Sequence, residues 1–309
     1  MIFEHCKHLH KIGHDVTIIN PSGNSPAMWE WYGDLGDVPV VRNVASGDKF
    51  DVVVATGMQT VSWSLRVSGA KRVYFVQMME HLFFRKGTPG YHEARRSYDL
   101  AKKTGFQVIT IAKWLQESLE EFGLESDIIP NGVSEEFKPS QQKQNYILIE
   151  GDGRNPAKDT DGIAWAVAEV LQQKYEVGIY GYAAYEHERA GQADEFFVRP
   201  TQQQMNALYS GALFLLKTSR YEGRSCAPVE AMACGTPTVR GIISGDDDLI
   251  HENNSLRVGY GYEDVLEQAE RMFTDTKLRG KLTRTCRRYA RKNLRWPKIT
   301  KQLDELLGR

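Results

Sequence analysis

One stretch limits what this chain can fold into more than any other: residues 212–239, ALFLLKTSRYEGRSCAPVEAMACGTPTV. Residues 212–216 (ALFLL) form an apolar run without a breaker, the pattern of a strand covered on both faces. The polar residues 217–224 then read as a turn. Ser225 suits a helix N-cap, and Pro228 is tolerated in the first helical turn, where no backbone donor is needed. Gly235 suits the left-handed residue that ends a helix, with Pro237 just beyond and residues 236–240 as the next strand.

Such a turn places the backbone N–H groups of Gly223, Arg224 and Ser225 at the positive end of a helix, on the carboxyl edge of a parallel sheet, where anions bind. A phosphate is the expected ligand. Two carboxylates flank it, Glu222 in the turn and Glu230 in the helix. Bound phosphate repels a carboxylate, so both are better suited to hydroxyls or to a developing cation. Sugar nucleotides offer both.

The remaining chain repeats the theme. Strands at 50–55, 72–76 and 107–112 alternate with helices near 61–67 and 92–103; strands at 146–150, 177–181 and 195–198 alternate with helices at 162–173 and 202–210. This alternation predicts α/β architecture with parallel, doubly wound sheets, and 309 residues suit two such domains. Pro130, Asn131, Gly132 and Pro139, followed by the polar run 140–145, mark a boundary, giving domains 1–140 and 141–296. A net charge of −1 gives no global bias toward nucleic acid or membrane. The 4 cysteines form no CxxC and fit reduced thiols better than disulfides or a metal site. No apolar run reaches membrane-spanning length, and residues 1–20 do not form a signal peptide, so a cytoplasmic location is expected.

Glu222, seven intervening residues and Glu230, running on into Ala231-Met232-Ala233-Cys234-Gly235-Thr236-Pro237, resemble the E-x7-E signature and EAMACGxP run of retaining GT-B glycosyltransferases, glycosyltransferase family 4 (group 1). Residues 109–119, ITIAKWLQESL, resemble the family's strand-to-helix junction, with Ala112 where Ser is usual. Pro130-Asn131-Gly132-Val133, with Phe137 and Pro139, resembles the end of its first domain. The resemblance implies the GT-B fold: two Rossmann-like doubly wound domains facing across a cleft, with residues 297–309 packing back on the first. Leu9, Gly13-His14 and Val16-Thr17-Ile18 resemble the family's first helix and second strand, so the amino-terminal domain reads as lacking its first strand and Gly-rich loop, whether by truncation or by loss.

The resemblance also implies roles. Glu230 would bind ribose hydroxyls, and Glu222 would contact the donor sugar and stabilise an oxocarbenium-like state. The glycine turn Gly151–Gly153 with Arg154 and Lys158, together with the N–H groups of Gly223, Arg224 and Ser225, would hold the diphosphate. Two cations can offset two phosphate charges, so no metal or other cofactor is required. Backbone at Val198 would receive the base. Gln77 stands where many members carry a His near the sugar, with His81 further along; Gln77 reads equally as a sugar-hydroxyl ligand or a polar strand cap.

The implied activity is transfer of a sugar, with retention, from a UDP-, GDP- or dTDP-sugar donor to a glycan or lipid-linked acceptor in surface glycan or polysaccharide biosynthesis. The alternatives are a nucleotide-sugar-binding protein with weak or no transferase activity, or another GT-B activity such as a phosphorylase or epimerase. Other features read as structural. His5, His8, His10 and His14 lack a carboxylate or cysteine ligand set and read as surface residues. Asp246-Asp247-Asp248 resembles an acidic metal motif of the other glycosyltransferase fold but reads as a solvated turn or helix cap. The basic region 277–301 reads as a solvated helix face, or as a stripe that attracts anionic lipid at the inner face of the membrane or a phosphorylated acceptor. No nucleic-acid partner is expected.

Overall fold

The computed structural model describes residues 1–21, 35–44, 48–68, 70–151, 162–219, 222–241, 244–259 and 261–308. The chain divides into two compact units, Met1–Gly132 with Trp296–Arg309, and Val133–Arg295. The division falls between Gly132 and Val133, ahead of the polar run that suggested 140.

Unit 1 opens with helix α1 (Ile2–Lys11) and a short parallel pair, β1 (Ile18–Ile19) with β2 (Val40–Val41). Its main sheet holds β3 (Val52–Ala55), β4 (Lys71–Val76), β5 (Gln107–Thr110) and β6 (Ser126–Ile128), in that spatial order and all parallel. Helices α2 (Met58–Ser64), α3 (Pro89–Lys103) and α4 (Lys113–Glu120) connect successive strands. Pro89 begins α3 where its missing N–H costs nothing. Val73, Phe75, Ile109, Leu115 and Leu119 form the core. His5 belongs to this interior, which corrects its reading as a surface residue: apolar spacing turned its helix face inward. Its ring meets Phe75 and Trp296 edge-on at 5.4 and 4.8 Å, and burial pushes its pKa down to about 3.

Unit 2 is built on six parallel strands: β7 (Tyr146–Glu150), β8 (Gly178–Ala183), β9 (Glu195–Val198), β10 (Phe214–Lys217), β11 (Thr238–Gly241) and β12 (Ser255–Val258). Their spatial order is β12-β11-β10-β7-β8-β9. The chain therefore winds outward from β7 in one direction, returns to β10 beside it, and winds the other way. Alternate residues of β7 and β10 enter different cores: Leu148 and Leu215 one, Ile147, Ile149, Phe214 and Leu216 the other. Both faces are covered, which is why these strands read as continuous apolar runs. The connecting helices are α5 (Ile163–Tyr175), α6 (Gln202–Gly211) and α7 (Cys226–Ala233), and α8 (Tyr262–Thr274) follows the last strand. Gly181 in β8 is required by packing, since a Cβ would lie 2.6 Å from Phe196 and 2.8 Å from Trp165.

Helix α9 (Thr276–Asn293) buries Leu282, Cys286 and Ala290 and leaves Arg284, Arg287, Arg288, Arg291 and Lys292 partly or fully exposed. Helix α10 (Trp296–Leu307) returns to unit 1, adding Trp296, Ile299, Leu303 and Leu306 to its core. Lys71 on β4 donates to the carbonyls of Leu306 and Leu307 at 3.2 and 3.1 Å.

Candidate functional site

The winding of unit 2 reverses between β7 and β10, and at such a reversal the loops leaving the strands diverge and open a crevice at their carboxyl ends. Glu150 ends β7 and Lys217 ends β10, so these two residues sit side by side at that crevice. Lys217 is the last residue of the strand rather than the first of the turn, and it is 1 % exposed. Its Nζ pairs with Glu150 Oε2 and reaches Glu222 Oε1 at 3.2 Å.

A second chain of polar groups runs beside this pair. Tyr182, which faces Glu150 across the β7–β8 ladder, shares a hydrogen bond of 2.9 Å with the Tyr209 hydroxyl. The Tyr209 hydroxyl donates to Glu230 Oε2 at 3.2 Å. Burial raises the Glu230 pKa to about 7; the Tyr209 hydrogen bond opposes this and the Glu150 charge adds to it. The two glutamates picked out by sequence thus border one crevice at the sheet edge, linked through Lys217, Glu150, Tyr182 and Tyr209.

Helix α7 starts where expected, with Ser225 at the N-cap, although its hydroxyl makes no capping bond. Gly235 ends the helix in the left-handed region at φ 75°. The Arg224 side chain turns to Asp248, with Nε donating to Oδ2 at 2.7 Å. Tyr289 donates to the other Asp248 oxygen at 3.0 Å, and Asp246 is buried against Arg240 and 4.0 Å from Arg257. Asp246 and Asp248 are therefore interior ion-pair residues, which corrects the solvated-turn reading; Asp247 alone is exposed. Gly245, at φ 80°, packs under the turn so tightly that a Cβ would stand 2.8 Å from the carbonyl oxygens of Glu222 and Gly223.

Residues 144–275 match the family model for glycosyl transferases group 1. This segment is a group 1 glycosyl transferase domain. No curated protein sequence matches the chain. Among solved structures it is similar to Anabaena Alr3699/HepE in complex with UDP and glucose, at 16% identity and TM-score 0.78, covering 99% of this chain and 95% of that one. It is also similar to a sucrose-phosphate synthase from Thermosynechococcus elongatus, at 14% identity and TM-score 0.74 over 98% and 90%. WaaG, a glycosyltransferase involved in lipopolysaccharide biosynthesis, matches at 15% identity and TM-score 0.74 over 99% and 94%. The shared fold is GT-B, α/β with parallel sheets.

Within the group 1 domain, Gly153, Arg154 and Lys158 lie outside the described residues. Gly151 is placed at the end of β7, where its N–H donates to the Tyr182 carbonyl at 2.9 Å and its missing side chain admits the His187 ring, 3.0 Å from an added Cβ. Its amide is thus engaged in the sheet. Val198 ends β9 and is 45% exposed. No group of three or more His, Cys, Asp or Glu side chains able to hold a metal ion occurs among the described residues.

In unit 1, Gln77 is half-buried just past β4, and His81 lies in the short helical turn Glu80–Phe83. The His81 ring sits edge-on to Tyr91, Tyr98 and Phe122, and burial lowers its pKa, helped by the Arg95 charge. Between them stands Glu80, which the sequence reading passed over. Its Oε2 accepts from the Met58 N–H at 2.6 Å and from the Tyr74 hydroxyl at 3.3 Å, capping α2, and burial raises its pKa. Sequence reasoning also missed Lys217 and Glu150. A lysine closing an apolar strand was the available signal.

Proposed function

We propose that this protein is a retaining glycosyltransferase that moves a hexose from a nucleotide-sugar donor to a glycan or lipid-linked acceptor. The observation that carries the reading is the placement of Glu222 and Glu230 on either side of the α7 amino terminus, at the winding reversal of a parallel sheet. A dipole end suits a diphosphate, a carboxylate in the turn suits the sugar, and a carboxylate one helical stretch further suits ribose hydroxyls. The likeness to a structure holding UDP and glucose supports the same assignment.

On this reading the diphosphate binds the helix terminus and Lys158, the base meets backbone near Val198, and Glu230 accepts from the ribose. As the glycosidic bond to phosphate breaks, positive charge grows on the sugar ring, and Glu222 stabilises it electrostatically. The departing phosphate oxygen takes the acceptor proton, which leaves no need for a separate protein base. Gln77 and His81 keep the sugar and acceptor roles that the resemblance implies. Transfer on the cytoplasmic side, in surface glycan assembly and with helix α9 touching anionic lipid, completes the proposal.

A thermal-shift screen against UDP-, GDP- and dTDP-sugars tests donor binding, because a ligand that binds only the folded state raises its melting temperature. Transfer to acceptor, with the anomeric configuration of the product read by NMR, tests the rest. Binding without turnover by the wild type, no different from Glu222→Ala, would reduce the protein to a nucleotide-sugar binder. A folded protein indifferent to every activated sugar would overturn the reading.

A further inference from the structure

Lys217 is out of place in fold terms. The other residues of β10, Phe214, Leu215 and Leu216, are fully buried and apolar, and an apolar side chain at 217 would complete the strand. Replacing a buried ion pair by apolar groups of similar size is often neutral or stabilising, so the Lys217–Glu150 pair is not explained by stability. The site supplies another reason. Glu150, Glu222 and Glu230 crowd one crevice with the hydroxyls of Tyr182 and Tyr209. Carboxylates so gathered repel, and the least supported takes up a proton. A protonated Glu222 has no charge to offer a cationic sugar.

We propose that Lys217 is a positioning residue that keeps Glu222 ionised and fixed at the crevice, using Glu150 as its anchor on the neighbouring strand. The inference rests on the donor-site reading for its catalytic meaning, but its physical content belongs to the free protein. Glu150 pins the ammonium by the strand-to-strand contact, and Glu222 Oε1 lies 3.2 Å from the same nitrogen as an ion pair rather than a hydrogen bond. Glu222 lies outside strand and helix, and this ion pair and the Gly245 packing help to hold it. Glu230 is supported separately, through Tyr209.

The test is a carbon-13 NMR titration of glutamate-labelled free protein, with the Glu222 signal assigned by its loss in Glu222→Gln. Lys217→Met takes the ammonium from a partly buried Glu150, so the informative variant is Glu150→Gln/Lys217→Met, which removes both charges and keeps the volume. Measured against Glu150→Gln, which already lacks the Glu150 repulsion, the Glu222 midpoint in that variant is expected to rise by about one pH unit or more, and Lys217→Arg is expected to hold it near the wild-type value. Turnover of UDP-glucose by the double variant is expected to fall about 100-fold, with its acid limb moved to higher pH, while UDP affinity changes less than about threefold. A folded double variant whose Glu222 midpoint equals that of Glu150→Gln overturns the proposal. If the midpoint moves but wild type binds no UDP or UDP-glucose, the Lys217–Glu222 coupling stands and the donor reading falls; if donor is bound and turned over with the midpoint unmoved, the proposal alone falls.

Discussion

The carboxyl edges of the two parallel sheets are furnished differently. In unit 2 the edge carries Glu150, Lys217, Glu222 and Glu230 in one polar cluster with Tyr182 and Tyr209; in unit 1 it carries Gln77, His81 and one partly buried carboxylate, Glu80, held by a backbone N–H and a tyrosine. The winding accounts for the difference. Unit 2 reverses direction at β7 and β10, so two strand ends separated by a long stretch of sequence become neighbours with diverging loops. The four-stranded sheet of unit 1 runs β3 to β6 in order, with no such reversal among its described strands. Concentrated charge goes where the crevice is. The lesson is that sheet order, more than residue type, decides which edge can carry out ionic chemistry.

The comparison breaks if the charged edge proves dispensable. Glu222→Ala should lower sugar transfer by about 10²–10³-fold with the fold intact, measured as kcat against a circular-dichroism control. Next in size is the interior support: Arg240→Ala should cost about 3–5 kcal/mol by urea unfolding, because it leaves Asp246 buried without its main partner.

The pH response sharpens the same contrast. With a Glu230 pKa near 7, a ligand that needs the carboxylate should bind about tenfold more tightly at about pH 8 than at about pH 6, and Glu230→Gln should flatten the slope in calorimetry with UDP. The stability consequence has the opposite sense. Between the ordinary glutamate range and about 7 the folded protein binds more protons than the unfolded chain, so this group's contribution declines as pH rises through that window. At the unit 1 edge, Glu80→Gln should cost only about 0.3–1 kcal/mol through the α2 terminus. His14→Ala, which removes an exposed 2.8 Å contact to Asp304, should cost less than about 1 kcal/mol. A Glu80 effect as large as that of Glu222 would erase the distinction.

Much of this was legible in the chain. The breaker-free ALFLL run, the Ser225 and Gly235 helix limits and the Glu222–Glu230 spacing are local features, and local geometry realised them. What stayed hidden was non-local. Lys217 looks like the start of a polar turn until β10 is laid against β7 and Leu216 pairs with Ile149, which brings the lysine to Glu150. Asp246 and Asp248 look solvated because three consecutive aspartates usually are; Arg240 on the next strand, Arg224 before α7 and Tyr289 on α9 are what draw two of them inward. His5 is similar, since its neighbour Trp296 arrives from the far end of the chain.

That last contact bears on how the protein is made. Unit 2 is contiguous from Val133 to Arg295, whereas unit 1 needs Trp296, Ile299, Leu303 and Leu306 to finish its interior. During synthesis the usual order of domain completion is inverted: Met1–Gly132 emerges ahead of unit 2, yet its interior is completed only after Trp296–Leu307 has left the ribosome. A nascent chain stalled after Arg295 should carry a protease-resistant second unit behind a first that is still readily cut.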